Sequence, residues 1–347
     1  MGRRCSMCCE ATFRSKTKQG RNSNNGRLTM AQVALARDTR DEPNEVALQT
    51  RVKAGGTLED ISEMTPRYRD VLVATMSIAA DLEIMTLPLD LDAMQFAPCI
   101  GDRIAVASAL QDEMGHAQVM FRMLEEFGFD AYERVFERDP ATFKTFFMLE
   151  WNLKDPIDMA MSHLIGDQAG YITTCDLEEH CSFGPYSRSL RKVNFEEQFH
   201  VKRGEYSVRH YMQLGPEVRK RVQESLDFWF PLGAEWFGAT DDVKSRMDQL
   251  HYKIRGSSND QLRQIWLSRV VPFCEQLGLK VPAHFDGEKG IYVLDFEMPI
   301  LFNEETGKWD FRKVTWAEKL AQWKRGGSKK VPGLRRIQSE LWGHDLW

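Results

Sequence analysis

The 347-residue sequence predicts an all-α protein: a four-helix bundle with extra C-terminal helices and a short β-hairpin. Three observations carry this. Apolar residues recur at helical steps over long stretches after Pro66, Gly and Pro punctuate those stretches into segments, and one pattern of acids and histidines repeats at an offset of 84 residues.

The helical segments fall at about 66–87, 100–128, 155–180, 184–213, 216–238, 241–255 and 258–277, and four of them are long enough for a bundle. In 101–127, Ile104, Ala107, Leu110, Met114, Val119 and Met123 recur at three-to-five-residue steps as one apolar face, and Gly128 stands where a helix stop belongs. Around 290–312 the alternation in IYVLDFEMPI and the turn-like NEETGKWDF predict one hairpin, followed by a helix at 315–325. The five tail tryptophans Trp309, Trp316, Trp323, Trp342 and Trp347 are expected to clamp the tail to the bundle or to another subunit. The expected division is a disordered basic leader (1–45), a helical domain (46–280) and a C-terminal hairpin and tail (281–347).

A formal charge of -5 gives no reason to expect nucleic acid or an anionic membrane as partner, because both would repel an acidic surface. No stretch offers the ~18–20 uninterrupted apolar residues that cross a bilayer. Seven cysteines, odd in number and thinly spread, read as reduced thiols in a cytoplasmic protein. Cys5, Cys8 and Cys9 hold a C-x-x-C spacing that lacks a second pair. Residues 1–30 carry seven Lys or Arg against one acid, leaving 39 basic and 50 acidic residues for the rest. Within them, Gly2 to Ser6 match the short myristoylation pattern with Cys5 as a palmitate acceptor, and Met30 offers an alternative start.

Two helices carry E-x-x-H: Glu113 to His116 in LQDEMGHAQ, and Glu197 to His200 in FEEQFHVKR. A step of three puts both side chains on one helical face, within reach of one ion. Each motif follows, by 30 residues, an acid in an apolar helix: Glu83 in AADLEIMTL and Asp167 in SHLIGDQAGY. The triplet 83, 113, 116 therefore recurs as 167, 197, 200, a duplicated helical hairpin. Thirty residues suit a helix, a loop and a return to the same height at ~1.5 Å of rise per residue. Two such hairpins bring four carboxylates and two imidazoles to one point. Burying those acids uncompensated would cost on the order of several kcal/mol each, and two cations supply the charge. Oxygen-rich ligation with one imidazole per ion favours iron, with manganese the close competitor, and disfavours structural zinc. The resulting expectation is a ferritin-like site for two iron ions formed by Glu83, Glu113, His116, Asp167, Glu197 and His200.

The competing reading is a set of solvated helix faces; Gly115 and Gly166 speak against it, as an exposed helix would lose ~1 kcal/mol at each unless close packing required them. Asp112 and Glu196, also 84 apart, either orient a histidine of the opposite hairpin or face solvent. His163, one turn before Asp167, reads as a core histidine ahead of a role beside the ligands, and Tyr171 and Cys175 are candidate cavity walls.

The segments LEIMTLP, LQDEMGHAQ, SFGPYSRSLRKVNFEEQFHVKRGE, DFWFP, KIRGSSNDQLRQIW and VPFCEQLGLKVP resemble the catalytic-subunit branch of the phenylacetate-catabolism family, which includes the phenylacetyl-CoA 1,2-epoxidase and benzoyl-CoA epoxidase oxygenases. The resemblance spans roughly residues 60–290. It implies a di-iron monooxygenase in which Glu83, Glu113, Asp167 and Glu197 serve catalysis as well as metal binding. The implied reaction is insertion of one oxygen atom from O2 into the aromatic ring of an acyl-CoA thioester. It further implies a separate NADPH-dependent flavin and iron–sulfur reductase, and a ferritin-like structural partner in a hetero- or homo-oligomer. Ala109 departs from the lysine expected one turn before the first E-x-x-H glutamate, and residues 144–160 diverge as well, so the acyl group stays open. Lys253, Arg255 and Arg263 are the candidates for the CoA phosphates, and Arg188, Arg191 and Lys192 could equally form a solvated basic face. The alternatives are a non-catalytic scaffold subunit of such a complex, or a di-iron or di-manganese enzyme acting on peroxide or generating a radical.

Overall fold

A computed structural model describes residues 41–244, 247–324 and 330–335. The cysteines and Met30 of the leader, and Trp342 and Trp347, lie outside them. The described residues belong to one compact unit that begins at Asp41.

A helix absent from the sequence expectation opens it: α1 (Pro43–Lys53), with Pro43 in its first turn and Leu48 and Val52 buried. The bundle follows as α2 (Pro66–Phe96), α3 (Ile100–Glu126), a short α4 (Phe147–Glu150), α5 (Pro156–Ser162), α6 (Gln168–His180) and α7 (Gly184–Tyr211). Thr65 caps α2 by accepting the Tyr68 N–H, and Pro66 sits where its missing N–H costs nothing. The sequence puts the end of this helix before Pro88, yet α2 runs on to Phe96. Buried Leu87, Leu89 and Ala93 continue its inward face, and that packing overrides a local penalty of ~3 kcal/mol. An 18-residue window of α2 is apolar enough to cross a membrane by length and composition, but half of it is buried inside the fold.

The strongest helix–helix contacts join α2 to α3 and α6 to α7, the two expected hairpins. Between α5 and α6 the chain makes one π-helical turn, His163–Asp167. Against that turn α7 presents Gly204, where a Cβ would lie 2.6 Å from the Leu164 nitrogen and 2.8 Å from the His163 Cβ. Gly204→Ala should therefore destabilise the fold by roughly 1–3 kcal/mol, since backbone cannot move aside as a side chain can. An unchanged thermal midpoint would sink this.

The apolar face expected on α3 is displaced. Ile104 and Met114 are exposed, and the buried residues are Val106, Ala109, Glu113, His116, Ala117, Met120, Phe121, Met123 and Leu124. Periodicity alone could not locate the stripe, because acids and a histidine occupy part of the inward face. Gly115 has nothing within 4 Å of a built Cβ, so packing does not explain it; at Gly166 the Met148 sulfur would lie 2.9 Å from one.

Beyond the bundle run α8 (Pro216–Glu235), a short α9 (Asp248–His251) and α10 (Asn259–Gln276). Among the described residues of 241–255, only Asp248–His251 are helical. Asp241 instead accepts from the Ser258 hydroxyl, at 2.5 Å, and from the Asp260 N–H, local bonds that compete with a helix. The single expected hairpin is two: β1 (Ala283–Asp286) with β2 (Ile291–Leu294), and β3 (Leu301–Asn303) with β4 (Lys308–Asp310), both antiparallel. IYVL thus pairs backward with AHFD, and NEETGKW closes a separate loop. The tail helix α11 (Trp316–Lys324) is held to the bundle by Lys319, whose ammonium is fully buried 2.6 Å from Glu235 and 2.7 Å from the Ile300 carbonyl. Trp309 donates to the Phe228 carbonyl, and Trp323 packs edge-on to Phe146.

Candidate metal centre

All six sequence-selected ligands converge. Glu83, Glu113, His116 and Glu197 have ligand atoms within 4.8 Å of one another, and so do Asp167, Glu197 and His200. Glu197 is common to both groups, so two adjacent positions share a carboxylate. The histidines bind across the hairpins: His116 Nε2 lies 3.1 Å from Glu196, and His200 Nε2 lies 3.4 Å from Asp112. By accepting a hydrogen bond from Nε2–H, these outer carboxylates favour the tautomer that leaves Nδ1 free for an ion.

That leaves each Nδ1 pointing inward. His116 Nδ1 lies 3.3 Å from Glu197 and 3.5 Å from Glu83; His200 Nδ1 lies 3.3 Å from Glu113 and 3.7 Å from Glu197. Both Nδ1 atoms are buried without a hydrogen-bond partner. A buried acceptor left bare costs ~1–3 kcal/mol, and two bare nitrogens aimed into four carboxylates are the donor set a pair of hard-to-borderline cations satisfies. The residues present therefore fit a dinuclear centre.

Without metal, protons take that place. Burial alone would lower His116 and His200, but the Glu197 and Glu83 carboxylates raise His116 to about 11, and Glu113 and Glu197 raise His200 to about 12. Burial pushes Glu197 up, yet the two imidazoles hold it down to about 2. Burial raises Glu83 and Asp167, opposed by His116 and His163 respectively. The sign follows directly. The raised histidines stabilise the metal-free fold fully below their unfolded value of 6.5, and that contribution is lost as pH rises through about 11 to 12. Metal uptake at neutral pH must expel these protons, so affinity should rise with pH. Calorimetric titration in two buffers of different ionisation enthalpy checks this; equal heats would refute it.

The sequence reading undervalued three neighbours. His163 Nδ1 hydrogen-bonds the Asp167 carboxylate and is no plain core histidine. Thr86 donates to Glu113 at 3.1 Å. Asp90 lines the same cavity, its carboxyl driven well above the ordinary range by burial and then by Glu113 and Asp167. Asp90 follows Glu83 by seven residues, two helical turns, a spacing that could have revealed it.

The cluster opens into a cavity of about 420 Å³ walled by Phe146, Met148, Leu149, Trp229, Trp236 and Phe237, with Lys244, Gln249, Arg255 and Asn259 as polar lining. The divergent 144–160 stretch therefore does supply part of the wall. Tyr171 and Cys175 do not line it. Among the CoA candidates, Arg255 reaches the cavity, buried and bonded to Asn259 at 2.6 Å. Arg263 is taken up by the Ala234 and Gly238 carbonyls and by Asp260. Lys253 is half-buried in a left-handed conformation outside the cavity lining. Arg188, Arg191 and Lys192 pair with Glu59, Glu178 and Glu196. Ala109 is buried and leaves no charge one turn before Glu113.

Residues 35–323 match the model of a family described as phenylacetic acid catabolic protein. A subunit of the 1,2-phenylacetyl-CoA epoxidase of Escherichia coli (strain K12) is 27% identical over 259 residues, which cover 72% of this chain and 81% of that relative.

Proposed function

Because this chain belongs to the phenylacetic acid catabolic protein family, we propose that it is the catalytic oxygenase subunit of a multicomponent di-iron monooxygenase acting on an aryl-CoA or other acyl-CoA thioester. The observation that carries this is the complete six-residue donor set, with two bare Nδ1 atoms, at the wall of an aromatic-lined cavity. A scaffold subunit would have no use for buried carboxylates that must be neutralised.

Two iron ions held by Glu83, Glu113, His116, Asp167, Glu197 and His200 would supply redox and Lewis-acid chemistry towards O2. The chain's own residues do the rest. Glu196 and Asp112 hold the imidazoles in orientation, Thr86 holds Glu113, and Asp90 favours its protonated form. Phe146, Trp229, Trp236 and Phe237 keep water from the ring and fix its approach. Lys244 and Arg255 receive the anionic carrier. Epoxidation places one oxygen atom on the ring and reduces the other to water, with two electrons and two protons. A separate NADPH-dependent flavin and iron–sulfur reductase provides the electrons, and a ferritin-like structural subunit completes the complex. A cytoplasmic setting belongs to the same reading, with Cys99, Cys175, Cys181 and Cys274 as free thiols.

The test supplies iron-loaded, chemically reduced protein and its partner subunits with O2 and a panel of aryl- and acyl-CoA thioesters. A product heavier by one oxygen atom is expected. Thioesters recovered unchanged across the panel would overturn the assignment.

A further inference from the structure

The 84-residue repeat allows each half of the site to serve as a control for the other. Glu113 corresponds to Glu197, His116 to His200, and Asp112 to Glu196. The correspondence fails around the first acid. Glu83 is matched by the shorter Asp167, Ala79 by His163, and Met120 by Gly204. These three departures meet at one place. Glu83 lies in a regular α-helix, whereas Asp167 ends the π-helical turn His163–Asp167. Gly204 lets α7 close directly onto that turn, against the His163 Cβ and the Leu164 backbone. His163 is buried, its Nδ1 bonded to one Asp167 oxygen, and its ring centre lies 6.1 Å from that of His200.

From this geometry we infer that His163 is a positioning residue for the second metal position: by holding one Asp167 oxygen it aims the other at an ion shared with Glu197 and His200, a device the first half lacks. The inference rests on the dinuclear reading of the site. An aspartate is one methylene shorter than the glutamate at the equivalent position, and it is this shorter acid that stands at the end of the widened turn. The Asp167 side chain is also the more exposed of the two, 25% against 12% for Glu83, and the His163 Nδ1 hydrogen bond restricts its rotation about the last bond. His163 also has a second face. Its ring lines both the main cavity and a small cleft bounded by Pro98, Asp102, Arg203 and Tyr211 on the far side. Ring volume and hydrogen bond are therefore separable properties, and two substitutions separate them.

His163→Asn keeps an N–H donor near the Nδ1 position but loses ring volume. His163→Phe keeps the ring and loses the donor. The full chain, stripped of metal, is titrated with Co(II) while the visible d–d bands and the ions retained after gel filtration are measured. Wild type and H163N should retain two ions per chain. H163F should bind the first as wild type does and the second at least ~10-fold more weakly. Asp167→Asn should give the same one-ion state, and H163F/D167N should be no weaker than D167N alone, because His163 acts only through that carboxylate. If H163F fails to fold by circular dichroism, H163N and His163→Leu are compared instead. Two ions bound by the non-donating variant as tightly as by wild type, or a stronger defect in H163N than in H163F, would overturn the positioning role and leave the dinuclear reading intact. A wild-type chain that takes up no Co(II) would instead count against the dinuclear reading itself.

Discussion

Glu197→Ala should empty both metal positions at once. Glu197 is the one carboxylate common to the two clusters, and in the metal-free protein it is the acid both imidazoles face. Its removal takes a ligand from each of the two positions, so iron per chain should fall from two to well below one. Oxygenase turnover should fall by roughly 10²-fold or more, beyond the cost of losing an outer hydrogen-bond partner. Glu83→Ala supplies the contrast, since Glu83 belongs to one cluster. That variant should keep an ion at Asp167, Glu197 and His200. Metal analysis after gel filtration decides between them. Equal retention by the two variants would show that Glu197 is not shared.

The second large effect concerns stability. Lys319→Met should cost about 3–5 kcal/mol, because it strands the buried Glu235 carboxylate. The ammonium also donates to the Ile300 carbonyl and lies 4.9 Å from the Trp309 ring centre, so truncation opens the joint between α8, β3 and α11. For a chain of this size the thermal midpoint should drop on the order of 5–10 °C. Glu235→Leu combined with Lys319→Met should recover most of the loss, since an apolar pair removes the desolvation of both charges. A double variant no more stable than K319M would argue that packing around the pair, not its charge, holds the tail. Trp323 on Phe146 links this joint to the cavity wall, so K319M should also alter substrate affinity before it alters metal content.

Much of the centre was legible because its signal is periodic. An offset of 84 residues and two E-x-x-H steps need no tertiary knowledge, and they select the residues that the fold brings together. The helices were legible for the same reason. What escaped depends on contacts between distant residues with no shared period. His163 has no counterpart at Ala79, and Gly204 gains its meaning only from the backbone of Leu164 across the helix pair. Lys319 and Glu235 are 84 residues apart too, but by accident, in unrelated elements. Arg263 looked like a phosphate ligand because sequence shows its charge and hides the two carbonyls and the aspartate it serves. The α3 stripe was misplaced because a rule that seeks apolar residues discounts Glu113 and His116, which lie at its centre.

The crossed pairing of His116 with Glu196 and of His200 with Asp112 bears on the order of assembly. Neither hairpin can orient its own imidazole; each borrows the acid that does so from the other. A hairpin formed but not yet docked would own a ligand triplet while lacking the acid that orients its imidazole. Tight binding should thus arise when the halves interlock, because an orienting partner is worth roughly 10–100-fold in metal affinity.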